Sequence, residues 1–502
     1  MRLISGQVVR KRQRSSLSRF GLAVILAFST GLPASAADNP PPSPDHSWAP
    51  PGLNAYEQAL AQTNSLTQSN ASAMAVDPGK IYDLPRLIDL AERSNPDTRV
   101  AWEKARQAAR AVGLSESAYY PYLAASASAA DLQELTALTT VFVAQAQAVD
   151  TTLDLKWLLF DFGGRHAELS AAREQLMLAN VGFNATHQKI VFAVTKSFYD
   201  LNTAKEQVAV AQSSLSAANT VGEAAQARFD HGLATKPDVL QAQQQTAQAA
   251  YDLEAARGSL SDAEIALADS LGILPNPDLK VADVPEKQFA DNPDESLDEL
   301  VDRALSQRPD LVANLANLRA RQDEVRKARS EYYPKVSLDA GAGWSKLDVT
   351  AFNTPYVDNS KPVYSVGLAI ELPIFDGFAR RNKLKLAESE LRAAESELNR
   401  SRDAAVREVW RNYTDLRTAL RKQESAEKLL AAAQSAFDAT LQSYQNGLDT
   451  YVDVATAQRN LTAARSTVVD ARSAIFTGTA ALAFSVGDLA RPTLQSTPTH
   501  QP

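Results

Sequence analysis

The 502-residue chain contains no cysteine. A disulfide framework, a thiolate metal site and a cysteine nucleophile are therefore excluded, as is a lipid on an N-terminal cysteine. No apolar run after residue 36 is long enough for a transmembrane helix. Histidine is scarce: His46, His166, His187, His231 and His500 are scattered, with no H-E-x-x-H or other ligand spacing. There is no P-loop and no G-x-S-x-G, so no cofactor, metal or catalytic signature is present. These absences argue against an enzyme. For an exported chain they leave a soluble protein or a β-barrel, the only non-helical way to satisfy every backbone polar group inside a bilayer.

Export is itself an expectation from the first residues. Arg2, Arg10, Lys11, Arg12, Arg14 and Arg19 form a basic region, residues 20–32 form a short apolar stretch, and Ala34-Ser35-Ala36 is an A-x-A site. That order predicts a signal peptide over 1–36 and a mature start near Ala37. The segment holds six bases and no acid, so the remainder carries 45 bases against 59 acids, a net of about −14. Such acidity argues against a nucleic-acid partner.

What is present is a duplication. Asn95-Pro96-Asp97 precedes a helical pattern ending at Tyr119-Tyr120-Pro121, and Arg308-Pro309-Asp310 precedes one ending at Tyr332-Tyr333-Pro334, each pair 213 residues apart. From there the spacing becomes 215. It relates Phe160-Asp161 to Phe375-Asp376, Gly232-Leu233 to Gly447-Leu448, Asp238-Val239 to Asp453-Val454, and Gly272 to Gly487. A period this long means two copies of one large unit rather than a solenoid. The predicted organisation is a Pro/Ser/Asn-rich segment over 37–80, a first copy over 81–275, a Pro- and Asp-rich linker over 276–296, a second copy over 297–490 and a disordered tail over 491–502.

Each copy has the same order of elements. Short helices are expected at 85–93 and 297–306, and second helices at 97–117 and 310–330. Two extended segments follow, and then proline-free, Ala- and Gln-rich stretches at 163–232 and 377–447. Leu384, Ala387, Leu391, Ala394 and Leu398 show the helical spacing. About 69 residues at 1.5 Å each make roughly 100 Å of helix, which implies a coiled coil or a helical barrel.

The extended segments alternate. Val336, Leu338, Ala340, Ala342 and Trp344 oppose Ser337, Asp339, Gly341, Gly343 and Ser345, and Val366, Leu368, Ile370 and Leu372 share a second apolar face. Leu153, Leu155 and Trp157 face away from Asp154 and Lys156; the segment after Tyr120 is mostly Ala and Ser. About ten residues per strand with one apolar and one polar face suits a transmembrane barrel, with Trp157 and Trp344 as a membrane girdle. Soluble hairpins packed on a core are the alternative. Four strands are too few to close a membrane barrel, so a barrel requires an oligomer.

The long stretches are interrupted by two matching motifs. One holds Phe229, Gly232, Leu233, Thr235, Asp238 and Val239; the other holds Tyr444, Gly447, Leu448, Thr450, Asp453 and Val454. Each reads as helix end, turn and helix start: Gly in the left-handed C′ position, Thr as cap, and Asp at the third helical position.

Together with the duplication, the Tyr-Tyr-Pro strand starts and the strand exits Phe160-Asp161-Phe162-Gly163-Gly164 and Pro373-Ile374-Phe375-Asp376-Gly377, these motifs make the chain resemble the TolC-like outer membrane efflux proteins over about 84–489. The resemblance implies a mainly α homotrimer, with a 12-stranded β-barrel in outer-membrane lipid and a long α-helical barrel through the periplasm. It implies a belt formed by the short helices and linker, and docking onto a periplasmic adaptor and an inner-membrane pump. It places Gly232, Leu233, Thr235, Gly447, Leu448 and Thr450 at an adaptor-docking tip, and Asp238, Asp449, Asp453, Phe229 and Tyr444 at the pore mouth. Phe229 and Tyr444 are mouth constrictors on one reading and core residues on the other, which the pattern favours. Asp449 stands where the best-known type has an arginine, and Thr456 where it has a second aspartate, so this sequence departs from that type's arginine latch. An exported coiled-coil rod is the rival reading.

Overall fold

The computed structural model describes residues 55–60, 77, 79–137, 141–276, 279–284, 296–350 and 357–489. The predicted signal peptide and tail lie outside them. Residues 55–60 are helical and belong to a separate N-terminal unit; the rest lie in a second one.

The second unit opens with β1 (Ile81–Tyr82), α1 (Leu84–Ser94), α2 (Pro96–Ser117), β2 (Tyr122–Ala137), β3 (Val141–Phe160), α3 (Gly164–Asp230) and α4 (Lys236–Leu271). After β4 (Lys280–Val281) the order repeats as α5 (Leu297–Gln307), α6 (Pro309–Ser330), β5 (Lys335–Thr350), β6 (Val357–Glu371), α7 (Ala379–Gln445) and α8 (Tyr451–Val486). The part of the linker that is described is not a plain loop: β4 pairs in parallel with β1.

Both long helices, α3 and α7, have 67 residues, about 100 Å. Among the described residues, no single helix lies along their whole length. Beside α3, the 36-residue α4 runs back from the turn and the 22-residue α2 covers the remainder. The two meet end to end. Asn95, the N-cap of α2, donates from Nδ2 to the Ser270 carbonyl at 3.1 Å, and Ser94 Oγ donates to the Leu271 carbonyl at 2.6 Å. Orphan carbonyls at the end of α4 are thus satisfied by the residues that begin α2, and the helix dipoles run head to tail.

The second copy solves the same problem with Arg308. Its guanidinium donates to the Ser485 carbonyl at 3.0 Å and to Glu408 at 2.6 Å, and pairs with Asp310 at 2.9 Å. Hydrogen bonds to these carboxylates hold its pKa above the ordinary arginine value against the opposing effect of burial.

The short helices bury one face each on this wall. Leu87 and Ala91 of α1 pack on Val194, Phe198, Leu267 and Leu271, and Leu300 and Ala304 of α5 pack on Val409, Leu416, Ile475 and Val486. Side by side, α4, α3, α8 and α7 form the half of the wall nearer the turns, and α2, α3, α6 and α7 the half nearer the sheet. Alanines fill the seams, among them Ala218, Ala225, Ala242, Ala405, Ala426 and Ala464.

Gly272 ends α4 at φ +70°, and a Cβ there would lie 2.7 Å from Asn95 Cα. Gly272→Ala is expected to cost at least about 2 kcal/mol, from the left-handed backbone and from the clash with main chain. The check is a lower dissociation temperature for the detergent-solubilised protein than for Gly182→Ala, where a Cβ meets nothing.

Candidate functional site

The sheet runs β2-β3-β5-β6, antiparallel throughout. Its register fixes which residues share a face. Leu123, Leu155, Ala340 and Val366 are opposite one another, as are Ala125, Leu153, Ala342 and Tyr364, and Trp157, Leu338 and Leu368. The other face carries rows of Ala124, Asp154, Gly341 and Ser365, of Ser126, Thr152, Gly343 and Val363, and of Ser128, Asp150, Ser345 and Lys361. The apolar residues read from three separate segments therefore fall on one surface. The polar surface is internally bonded: Thr152 Oγ1 donates to Asp154 at 2.8 Å, and Ser345 Oγ to Asp150 at 2.5 Å.

The strands are longer than the expected ten residues, at 15 to 20. The surplus lies beyond the apolar band. From Val336 to Trp344 the outward row stays apolar for roughly 27 Å of strand; the next row holds Val149, Lys346 and Ser360, and Lys346 pairs with Asp348 at 3.2 Å. Trp157 and Trp344 are both exposed on the apolar face, six residues apart in register because Trp157 is opposite Leu338. Each indole N–H has a partner: the Tyr119 carbonyl at 2.9 Å and Ser360 Oγ at 2.6 Å.

At the far end of the long helices the two motifs form the same turn twice. Gly232 and Gly447 have φ of +72° and +79°. Leu233 N–H donates to the Arg228 carbonyl at 2.8 Å, and Leu448 N–H to the Ser443 carbonyl at 2.9 Å, both Schellman closures. Asp238 accepts from Thr235 N–H (2.9 Å) and Oγ1 (2.8 Å); Asp453 accepts from Thr450 N–H (3.1 Å) and Oγ1 (2.6 Å). The aspartates thus do more than complement a helix dipole: they fasten the turn to the next helix. The Thr450 hydroxyl and N–H hold Asp453 below the usual carboxylate range. Leu233 and Leu448 are 67% and 80% exposed.

The other residues expected at the mouth differ in burial. Tyr444 is 2% exposed and packs with Tyr451, Val454, Val221 and Ala225. It sits in a core to which α3, α4, α7 and α8 all contribute. Burial raises its hydroxyl pKa and that of Tyr451. Phe229 is half-buried under Lys236, whose Nζ lies 5.5 Å from the ring centroid. Asp449 is half-exposed and, within the protomer and among the described residues, has no arginine partner. The arginine that matters was not legible as such. Arg228, in the last turn of α3, donates to the Tyr444 carbonyl and, at 3.2 Å, to the Leu233 carbonyl, with its guanidinium 4.9 Å from the Tyr444 centroid. The available signal was an asymmetry: the second copy has Ser443 at the matching position.

The same architecture occurs in known channels. A family model described as outer membrane efflux protein matches residues 87–273 and 300–488. The chain belongs to the outer membrane efflux protein family. It is 30% identical over 411 residues to Protein CyaE of Bordetella pertussis, covering 82% of this chain and 85% of that one. It is 25% identical to the outer membrane protein TolC of Vibrio cholerae over 61% of this chain and 69% of that one. Among solved structures, the outer-membrane channel OprN superposes with a TM-score of 0.73 at 22% identity, over 81% of this chain and 90% of that one. The Vibrio cholerae outer membrane protein VceC gives 0.71 at 22% identity, over 80% and 96%. The protein is a TolC-like channel of the outer membrane reaching into the periplasm, the exit duct of a tripartite efflux or secretion assembly. It works as a homotrimer with a periplasmic adaptor and an inner-membrane pump. Members of the family are channels rather than enzymes.

Arg228 joins the two turns through main-chain carbonyls. Arg228→Ala is expected to remove about 1.5–3 kcal/mol of local stability, and Arg228→Lys to restore less than half, since an ammonium lacks the fork. Amide hydrogen exchange should rise at both 229–235 and 444–450 while strand amides stay protected. Exchange that rises only in the first turn would disprove the coupling.

Proposed function

We propose that the turns at Gly232 and Gly447 form the periplasmic mouth of the duct and the surface on which the adaptor docks. The observation that carries this is the pair of exposed leucines. The sequence could place polar residues at the tip of a Schellman turn, yet both copies hold out a leucine there, with Leu240 and Val452 also exposed nearby. Gly232, Thr235, Gly447 and Thr450 shape the turns that present them. Asp238, Asp449 and Asp453 supply negative charge at the mouth, and Trp157 and Trp344 mark two depths of the lipid-facing band. The chain conducts cargo and performs no catalysis.

Two measurements test this. The double variant Leu233→Glu, Leu448→Glu should still assemble as a trimer, because neither side chain is in the core, while cross-linking to the adaptor and export both fail. Normal cross-linking in that variant would reduce the motifs to helix caps. In planar bilayers the channel should prefer cations, since carboxylate rings concentrate them, and Asp453→Ala should weaken the preference. Because its folded pKa is depressed, the charge and cap of Asp453 persist above the ordinary carboxylate pKa and are lost only as pH falls through the lower value. Its share of the selectivity should therefore survive mild acidification; disappearance near pH 5 would contradict the assignment.

A further inference from the structure

The strand exits hold a feature that conduction and docking do not use. Four residues there have left-handed backbone: Phe162 (φ +52°) and Gly163 (+88°) in the first copy, Gly377 (+64°) and Phe378 (+68°) in the second. The 215-residue spacing aligns Phe162 with Gly377 and Gly163 with Phe378. Each copy thus needs two consecutive left-handed residues, for which Gly-Gly carries the least strain. Each copy instead keeps one phenylalanine, and the two copies keep it at opposite places of the pair.

The turn does not need the ring to hold its shape. Asp161 accepts the Arg165 N–H at 2.6 Å and Asp376 the Arg380 N–H at 3.0 Å, so both helices are capped by carboxylates. The Arg165 guanidinium further ties the carbonyls of Leu158 (2.6 Å) and Leu159 (2.9 Å). Nor are the rings core: Phe162 and Phe378 are 45% and 59% exposed. Phe162 stacks on exposed Tyr333 at 5.0 Å, and Phe378 meets exposed Phe375 edge-on at 5.6 Å. A strained backbone that presents an exposed ring points to a use for that ring.

The surroundings identify the use. The turns sit where the apolar face of the sheet ends and the helix wall begins, and Phe160, opposite Val336 and Ile370, is the last row of that face. The aromatic cluster therefore continues the lipid-facing band on its periplasmic side. Aromatic rings at that height belong to the boundary between acyl chains and headgroups. We propose that Phe162 and Phe378 are interfacial anchors, their rings seated in the headgroup–glycerol layer of the phospholipid leaflet that faces the periplasm, and that the left-handed turns exist in their Phe-containing form to aim them there.

The absence of cysteine allows clean labelling. A nitroxide at Phe162→Cys or Phe378→Cys, in trimers reconstituted into phosphatidylethanolamine–phosphatidylglycerol vesicles, should collide with both oxygen and a water-soluble nickel complex. The depth obtained should lie between those of Val366→Cys on the lipid face and Leu448→Cys at the turn. Water exposure equal to that of Leu448→Cys overturns the proposal, and so does shielding from both reagents, which would mean a neighbouring subunit covers the rings. A second test separates anchoring from packing. Phe162→Gly with Phe378→Gly relieves the strained backbone, so heat dissociation of the trimer in detergent should be unchanged or shifted upward by a few degrees. Extraction of the same variant from vesicles should become severalfold easier. A fall in the dissociation temperature, or unaltered extraction, would sink the idea.

Discussion

Inside hydrocarbon every backbone N–H and C=O must be paired, because no water is there to do it. In the sheet of this protein β3 and β5 are paired on both sides, but β2 and β6 on one side only. Four strands cannot curl far enough for these edges to meet each other. The only closure is with further copies, the β6 edge of one protomer against the β2 edge of the next. Three copies make the twelve-stranded ring. Once the strands form a ring, the helices leaving them have no choice but to stand in one as well, and the four-helix width of each protomer becomes a third of a tunnel wall.

That demand explains why the helices are built as they are. A wall of close-packed parallel and antiparallel helices about 100 Å tall needs small side chains at its seams and no kinks, hence the buried alanines and the lack of proline in α3 and α7. Two unbroken long helices per copy would leave no place for α1 and α5. Interrupting one line at Asn95 and at Arg308 lets the chain leave the wall, form α1 or α5, and return. The broken ends are not left bare. In the first copy a short side-chain amide and a hydroxyl cap the carbonyls; in the second a charged guanidinium does so and also grips α7 through Glu408. Equivalent backbone needs are met by different side chains.

Much of the architecture was legible in the sequence, because its signals are periodic or repeated. Helix periodicity and the absence of proline gave the long helices nearly to the residue, and alternation gave the strands. The duplication meant that each element was seen twice. The register of Leu155, Ala340 and Val366 on one face follows from the same period of two. Strand length was underestimated, since the outermost rows, such as that of Val149, Lys346 and Ser360, mix polar with apolar residues and lack alternation. The pairing of β4 with β1 joins residues about 200 apart through two-residue strands, which no local pattern announces. At the turns, glycine and threonine were readable because their roles are local. For Tyr444 the sequence left two readings open, because whether a ring at a helix end points inward depends on how the two hairpins meet. Arg228 was hidden for the same reason: it acts on carbonyls of a distant segment, and carbonyls leave no trace in a sequence.

The two copies agree wherever a backbone bond is at stake and diverge where a side chain meets its surroundings. Gly232 and Gly447, Thr235 and Thr450, and Asp238 and Asp453 superimpose in function, each closing or capping the same turn. Around them, the first turn carries Arg228, His231 and Lys236, where the second carries Ser443, Asn446 and Tyr451. The second is therefore the more acidic of the two, with Asp449 added. In a trimer there are thus two kinds of turn, three of each. The same division appears at the strand exits, where both copies require two left-handed residues but place their phenylalanine differently. Duplication supplied a frame that closes a barrel and a tunnel, and the freedom left to each copy lies in the side chains that this frame holds out from its turns.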